Sequence, residues 1–314
     1  MGLNCCLNRV NTLYLTEEQQ VPSAQPEILV VGGGKGGVGK TCFSVNTAVE
    51  IARRGWRVVL MDADLSCSNI ETVLGMTPTT CLDDFFHQRG GKNLEAIICD
   101  TPYENLKLIP GTTGLLDVAN PRYQQKIALI RELKKLDADL VIVDLDAGAH
   151  LNTLDFFRMT ETNGVVVITP ERTSIDNAFK FIRAAVFRRI ERFYQSPEVG
   201  QLLRKNETID QFLGAIEGAP VFDSRTKEHV QQEVIALVQA FKPKIMVNKV
   251  QNAYEAKVAS NILSKYCRES LRVEPDDLGY LPFDDTVKEA VNSGIPFIAT
   301  RPQLQISRCV SDIA

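Results

Sequence analysis

The chain has 314 residues, 24% of them charged and 44% hydrophobic; this allows one large or two ordinary domains with a full core and excludes a disordered or collagen-like chain. Its 35 Lys and Arg against 39 Asp and Glu leave a formal net charge of −4, so the whole molecule has no bulk attraction for phosphate polymers and any nucleic-acid contact needs a local patch. Cysteines at positions 5, 6, 42, 67, 81, 99, 267 and 309 show no C-x2-C spacing, which points to reduced, buried thiols rather than a disulfide framework or a metal site.

Residues 1–26 are polar, weakly periodic and end in a Pro-containing stretch, so a tail or arm is expected. Met1-Gly2-Leu3-Asn4-Cys5-Cys6 approaches an acylation signal, but Cys6 stands where the pattern requires Ser or Thr. No apolar run reaches membrane-spanning length and no charged segment precedes an apolar one, so a cytoplasmic protein is expected. Short apolar runs then alternate with helical patterns: Ile28–Val31, Arg57–Met61, Leu106–Ile109, Leu140–Val143, Val165–Thr169, Lys244–Val247 and Leu278–Leu281. Continuous hydrophobicity with helical connections predicts buried strands in a doubly wound, mostly parallel α/β sheet flanked by helices. Residues 27–314 are expected to form this domain. Within it, residues 195–240 contain three polar helical patterns with breaks near Pro197, Asn206 and Pro220, and are expected to form a helical insertion.

The first chemical motif is Gly34-Lys35-Gly36-Gly37-Val38-Gly39-Lys40-Thr41, which fits G-x-x-x-x-G-K-[ST] between a strand and a helix. Its glycines let backbone N–H groups surround phosphate oxygens and the helix N-terminus adds partial positive charge. Lys40 is expected to reach the β- and γ-phosphates and Thr41 to ligate Mg2+. Cys42 follows in the same phosphate-binding segment.

Lys35, a second lysine after the first motif glycine, makes this string resemble the deviant Walker A box of the MinD/ParA family of ATPases, a branch of the P-loop (SIMIBI-like) NTPases. The resemblance implies a nucleotide-sandwich homodimer in the ATP state, with Lys35 reaching the partner's phosphates. Asp62-Ala63-Asp64-Leu65-Ser66-Cys67-Ser68-Asn69 resembles the family's switch I box, and Val141 through Gly148 its Walker B and switch II segment. A carboxylate at a strand's C-terminal edge can accept a hydrogen bond from the attacking water or hold Mg2+ through a water. Asp64 is thereby the candidate for orienting water, Asp62 for structural or metal support, and Asp144 for the Mg2+ site. Gly148 is placed to approach the γ-phosphate through its amide. Asp146 stands where relatives commonly have Pro or Gly, and an extra carboxylate there would slow hydrolysis or repel an anion.

Val247-Asn248-Lys249-Val250 is similar to the family's adenine-reading segment, and the Asn248 amide offers both a donor and an acceptor. Leu281-Pro282-Phe283-Asp284-Asp285 resembles the region that packs around the same base, bringing Pro282 and Asp284 into the expected pocket. Asn248-Lys249-Val250-Gln251 lacks the acid of a guanine box, so ATP is the expected nucleotide.

Leu154-Asp155-Phe156-Phe157 and Thr169 through Ala178 look most like the flagellar FlhG branch, also called FleN or YlxH. That likeness implies control of flagellar number or position, a slow ATPase awaiting a protein partner, and a partner such as an FlhF-like GTPase or a polar flagellar component. The D-Q-A-x-x-L-R segment used by flagellar members on that GTPase has no counterpart in residues 1–26. Two other functions fit less of the sequence: a ParA-type DNA partitioning ATPase, and a cluster-bridging ATPase like nitrogenase iron protein, whose ligand context Cys99 does not share. Helix 179–192 holds Lys180, Arg183, Arg188, Arg189 and Arg192 against Glu191, a cluster for DNA phosphates, an acidic partner or plain solvent. The last 11 residues form a neutral apolar stripe, expected to dock on the domain or to bind membrane only weakly.

Overall fold

The computed structural model describes residues 25–65, 68–87, 93–112, 121, 123–158, 164–220 and 223–314. Eight strands make one sheet: β1 (Glu27–Gly32), β2 (Val58–Ala63), β3 (Cys99–Asp100), β4 (Leu106–Ile109), β5 (Leu140–Leu145), β6 (Val165–Ile168), β7 (Lys244–Val250) and β8 (Asp276–Pro282). Their spatial order is β3-β4-β2-β5-β1-β6-β7-β8, and every pairing is parallel except that of β3 with β4. All seven strands expected from continuous apolar runs are present. The two-residue edge strand β3 was not expected, because a segment that short carries no periodicity.

Alternate residues of the central strands feed two cores. Leu29 and Val31 of β1, Val58 and Leu60 of β2, and Leu140 and Ile142 of β5 pack in one. Val30, Val59, Met61, Val141 and Val143 pack in the other. Strands buried on both faces need helices on both, which is why they read as unbroken apolar runs. Helices α1 (Lys40–Arg53), α2 (Ile70–Val73), α3 (Leu82–His87), α4 (Tyr123–Leu133), α5 (Leu151–Arg158) and α6 (Arg172–Tyr194) come first in the chain. Then follow α7 (Pro197–Lys205), α8 (Ile209–Gly218), α9 (Ser224–Gln239), α10 (Ala253–Leu271), α11 (Thr286–Ser293), α12 (Phe297–Thr300) and α13 (Gln305–Ile313). Buried residues of α1, α2, α12 and α13 belong to the first core, and those of α3 through α10 to the second.

The three helices expected between 195 and 240 are α7, α8 and α9. Each starts where a side chain satisfies an orphan N–H: Ser196 accepts from Val199 N, Thr208 from Gln211 N, and Asp223 from Thr226 N. Val199, Leu203, Phe212, Ile216 and Val234 bury against the same core as the sheet. The acylation reading and residues 1–24 of the expected 1–26 tail lie outside the described residues.

The apolar face of α13, built from Ile306, Cys309, Val310 and Ile313, is buried in the core shared with α1 and β8. Docking on the domain, rather than a free amphipathic face, is what this helix does. No helix among the described residues is long and apolar enough to cross a membrane.

The basic stretch of α6 differs from the expected cluster. Of its five cations only Lys180 is exposed, the other four being half-buried. Arg188 Nε donates to the Asp155 carboxylate of α5 at 3.0 Å, and Lys126 Nζ of α4 donates to the same group at 2.6 Å. The side chain of Asp155 is 1% exposed and that of Lys126 5%. Burial pushes the Asp155 pKa up, but hydrogen bonds from Lys126 and Arg188 outweigh it and hold the carboxyl below its usual range. Arg188 faces inward because its counter-charge lies 33 positions away in sequence, beyond the reach of a local charge count. Asp155→Ala leaves Lys126 buried without its carboxylate and is expected to cost roughly 3–5 kcal/mol in urea unfolding; a cost under about 1 kcal/mol, the range of surface pairs, would show the network to be peripheral.

Candidate functional site

The site lies at the C-terminal edge of β1, β5 and β2, where an open parallel sheet presents loops and helix N-termini together. β1 pairs with β5 on one side and β6 on the other, and the loop after it turns into α1 at Lys40, which is buried. Two glycines in this loop are sterically required. Gly39 has φ +96°, and a Cβ there would stand 2.1 Å from Nδ2 of Asn248. A Cβ on Gly34 would stand 2.0 Å from the carbonyl oxygen of Asn177 in α6. Any larger residue at either position would push the loop off the elements that hold it.

Those elements come from far along the chain. Asn248 Nδ2 at the end of β7 donates to Val38 O at 2.8 Å, and Lys249 Nζ donates to Gly37 O at 2.8 Å. Gly148 N of the segment after β5 donates to Gly33 O at 3.0 Å. Lys35 Nζ reaches Thr173 Oγ1 in the first turn of α6 at 3.1 Å. The string Thr169 through Ala178 therefore has a physical role beside the loop: Ser174 Oγ accepts from Thr169 N at 3.0 Å, fixing the turn that carries Thr173 and Asn177. Glu171 in that turn is held below the usual carboxylate range, first by a hydrogen bond from Thr169, with Lys35 and Lys249 adding to it.

The acids sit where the register puts them. Asp62 of β2 pairs directly with Asp144 of β5, which in turn pairs with Val31 of β1. Thr41 Oγ1 donates to one oxygen of Asp144 at 2.6 Å and Ser44 Oγ to the other at 2.8 Å. Burial, followed by the charge of Asp62, pushes the Asp144 pKa up to about 7. Asp62 is also buried, and burial raises it to about 6 against the hydrogen bonds it accepts. Those donors are Asp64 N, Ser68 Oγ and Asn69 N, each at 2.9 Å, and Ile70 N at 3.1 Å. The carboxylate of Asp62 thus fastens the loop after β2. Asp64 is half-buried at the end of β2. Asp146 accepts a hydrogen bond from the Ala147 N–H, which folds its carboxylate onto its own turn.

Two expected base-pocket residues have local work to do. Asn248 uses its amide on Val38 O and accepts Lys249 N at 2.8 Å, leaving one N–H and one lone pair for a ligand. Asp284 accepts from both the N–H and the hydroxyl of Thr286, at 2.9 and 2.6 Å, and so shapes the start of α11. Pro282 lies beside Val250 in the β7–β8 register, with Phe283 N donating to Val250 O at 2.8 Å. Gly36, Gly37 and Val38 form the turn itself. Cys42, the first residue past Thr41, is half-buried, and desolvation pushes its thiol up to about 12, so at neutral pH it stays protonated. Residues 66 and 67 of the loop after β2 lie outside the described residues.

The donor set suits a hard, water-keeping cation rather than an all-protein cage: a threonine hydroxyl and one buried carboxylate beside a phosphate-binding turn. Among the described residues no group of three His, Cys, Asp or Glu could hold a metal ion. Cys99, on edge strand β3, has Thr80 Oγ1 and Ile97 O as hydrogen-bond neighbours among the described residues.

A family model described as an AAA domain matches residues 26–191. The antiactivator FleN of Pseudomonas aeruginosa is 30% identical over 238 residues, spanning 71% of this chain and 83% of FleN. The chain belongs to the MinD/ParA family of P-loop ATPases. The flagellum site-determining protein YlxH of Helicobacter pylori is 26% identical over 219 residues, 64% of this chain and 73% of that protein. In fold, the septum site-determining protein MinD from Pyrococcus horikoshii, solved as a complex with Mg-ADP, superposes with a TM-score of 0.58 at 19% identity, covering 92% of this chain and 94% of that one.

Three residues of the site were not singled out from sequence. Ser44, one helical turn past Lys40, was legible from spacing alone, since residues i and i+4 share a helix face. Ser68 and Lys249 carry no such signal, because their partners Asp62 and Gly37 are fixed by loop geometry. Both raised carboxyls bind protons more tightly in the folded chain than at the unfolded value near 3.9. Their contribution to stability is therefore present below about pH 4 and lost as pH rises through about 6 and about 7. Cation binding should run the other way: apparent Mg2+ affinity, read by calorimetry with nucleotide present, should rise between about pH 6 and 8. Asp144→Asn should flatten that rise, and an unchanged profile would remove Asp144 from the cation site.

Proposed function

We propose that the protein is an ATP-driven dimerising switch that hydrolyses ATP slowly and sets the number or placement of a polar structure, the flagellum above all. The observation that carries this reading is the pair of lysines on one phosphate-binding turn. Lys40 is buried at the start of α1, placed for phosphates bound by its own chain. Lys35 is exposed and rests on Thr173 by one hydrogen bond, free to exchange that partner for the phosphates of a second copy. The likeness to FleN and YlxH supports the flagellar assignment.

In this cycle the turn from Gly34 to Thr41 wraps the phosphates, and Asn248 with Pro282 borders the adenine. Thr41 and Asp144, with Asp62 in support, would hold Mg2+, which would supply charge neutralisation to the phosphates. Asp64 accepts a hydrogen bond from the water that attacks the γ-phosphorus, yielding ADP and phosphate. Gly148 exchanges its bond to Gly33 O for a γ-phosphate oxygen, which couples the nucleotide to the segment leading into α5. A protein partner that binds one state better than the other reads the switch; a flagellar GTPase or a component of the cell pole is the expected kind. DNA as the output is disfavoured by Arg188 and Arg192, whose charge is paired with the buried Asp155.

Light scattering on wild type, Lys35→Ala and Asp64→Ala with Mg2+ and ADP or ATP tests this. A dimer should form only with ATP, persist longest in Asp64→Ala, and be missing in Lys35→Ala, which should still bind nucleotide as a monomer. A monomer in every condition would overturn the switch.

A further inference from the structure

Behind the segment that leads into α5 lies a charge imbalance that the nucleotide cycle does not use. Lys126, Arg158, Arg188, Arg189 and Arg192 lie along adjoining parts of α4, α5 and α6, and the acids paired with them in this cluster among the described residues are Asp155 and Glu191. Glu191 is further shared with Arg204 of α7 at 3.2 Å. Arg158 and Arg189 are the surplus. Each is half-buried, and the Nε of each is shielded from solvent with no hydrogen-bond acceptor. Burial and then the charge of Arg158 hold Arg189 below the usual guanidinium range. Like charges brought together and partly desolvated are costly unless an anion joins them.

Phe193 supplies the second feature. It follows Arg189 by one helical turn on α6, is 51% exposed, and lies edge-on against Tyr194 with centroids 5.0 Å apart. An exposed aromatic beside unpaired arginines is the composition of a protein-binding hot spot rather than of a solvated surface. We propose that Arg158, Arg189 and Phe193 form the docking surface for an acidic protein segment, with paired Asp or Glu carboxylates on the two guanidiniums and an apolar side chain against Phe193. Guanidinium forks match carboxylates two bonds at a time. A protruding side chain reaches half-buried groups, whereas a duplex or a membrane plane needs an exposed basic stripe, and of the five cations between residues 179 and 192 only Lys180 is exposed. Arg158 closes the helix that follows Gly148, so the surface is attached to the segment that senses the nucleotide. This assignment deepens the partner reading above and rests on it.

The test uses the full chain with Mg-ADP and a display library of random short peptides, the selected peptides then being measured by fluorescence anisotropy. The selected sequences should carry two or more acids beside an apolar residue, and should bind Arg158→Gln/Arg189→Gln and Phe193→Ala about tenfold or more weakly. Selected peptides that are neutral, or that bind all three proteins equally, would overturn the proposal. So would duplex DNA or anionic vesicles binding through Arg158 and Arg189 where peptides do not. The double variant should keep or raise the melting temperature, since it removes unpaired buried charge; a marked fall would show the arginines to be structural and would equally overturn it. Because that variant leaves the nucleotide turn intact, it should still dimerise with ATP. Failure of wild type to dimerise would strike the switch reading alone, and the peptide measurement would stand apart from it.

Discussion

The parallel pairing of β1, β2 and β5 is the constraint on which the site depends. It sets Asp62 level with Asp144 and both at the edge where the loop after β1 turns into α1. A one-residue slip of β5 would turn Asp144 to the other face of the sheet and bring Val143 or Leu145 in its place. The unbroken apolar runs that bury these strands on both faces therefore also fix the chemistry at their ends. The same burial makes the two carboxyls hold protons up to about 6 and about 7, so the site carries part of its charge only when cations or donors arrive to share it.

The phosphate-binding turn is held from three directions, and each hold has a different character. Asn248 and Lys249 of β7 fix it to the far side of the sheet through carbonyls of Val38 and Gly37. The first turns of α6 press against Gly34 so closely that no side chain fits. Gly148 and Lys35, by contrast, are held by single hydrogen bonds at the surface or near it. Single bonds of this kind are worth about 1 kcal/mol each and can be exchanged for bonds to a ligand. The rigid holds keep the turn formed, and the exchangeable ones are where a bound nucleotide can alter the shape of the chain.

Much of this was legible in the amino-acid order because it is local. The glycine-lysine string, the apolar strands and the acids at their ends each declare themselves within about ten residues. The helices α7 to α9 were legible through Ser196, Thr208 and Asp223, residues that stop one conformation and start another. What escaped was set at long range. Arg188 and Arg192 read as surface charge until Asp155 is placed beside them, and Asn248 read as a free base-recognition amide until Val38 O is found on it. The edge strand β3 needs β4 as a template, so its two residues carry no pattern of their own.

The coupling of the nucleotide to the segment between β5 and α5 is the central claim, and amide hydrogen exchange measures it directly. Exchange over residues 146–151 and over the turn containing Thr173 should be compared for Asp64→Ala with Mg-ADP and with Mg-ATP. In the proposed cycle Gly148 and Lys35 exchange Gly33 O and Thr173 for phosphate oxygens, so Mg-ATP should change protection at both segments relative to Mg-ADP. Identical exchange in the two states, with ATP shown to be bound, would contradict it.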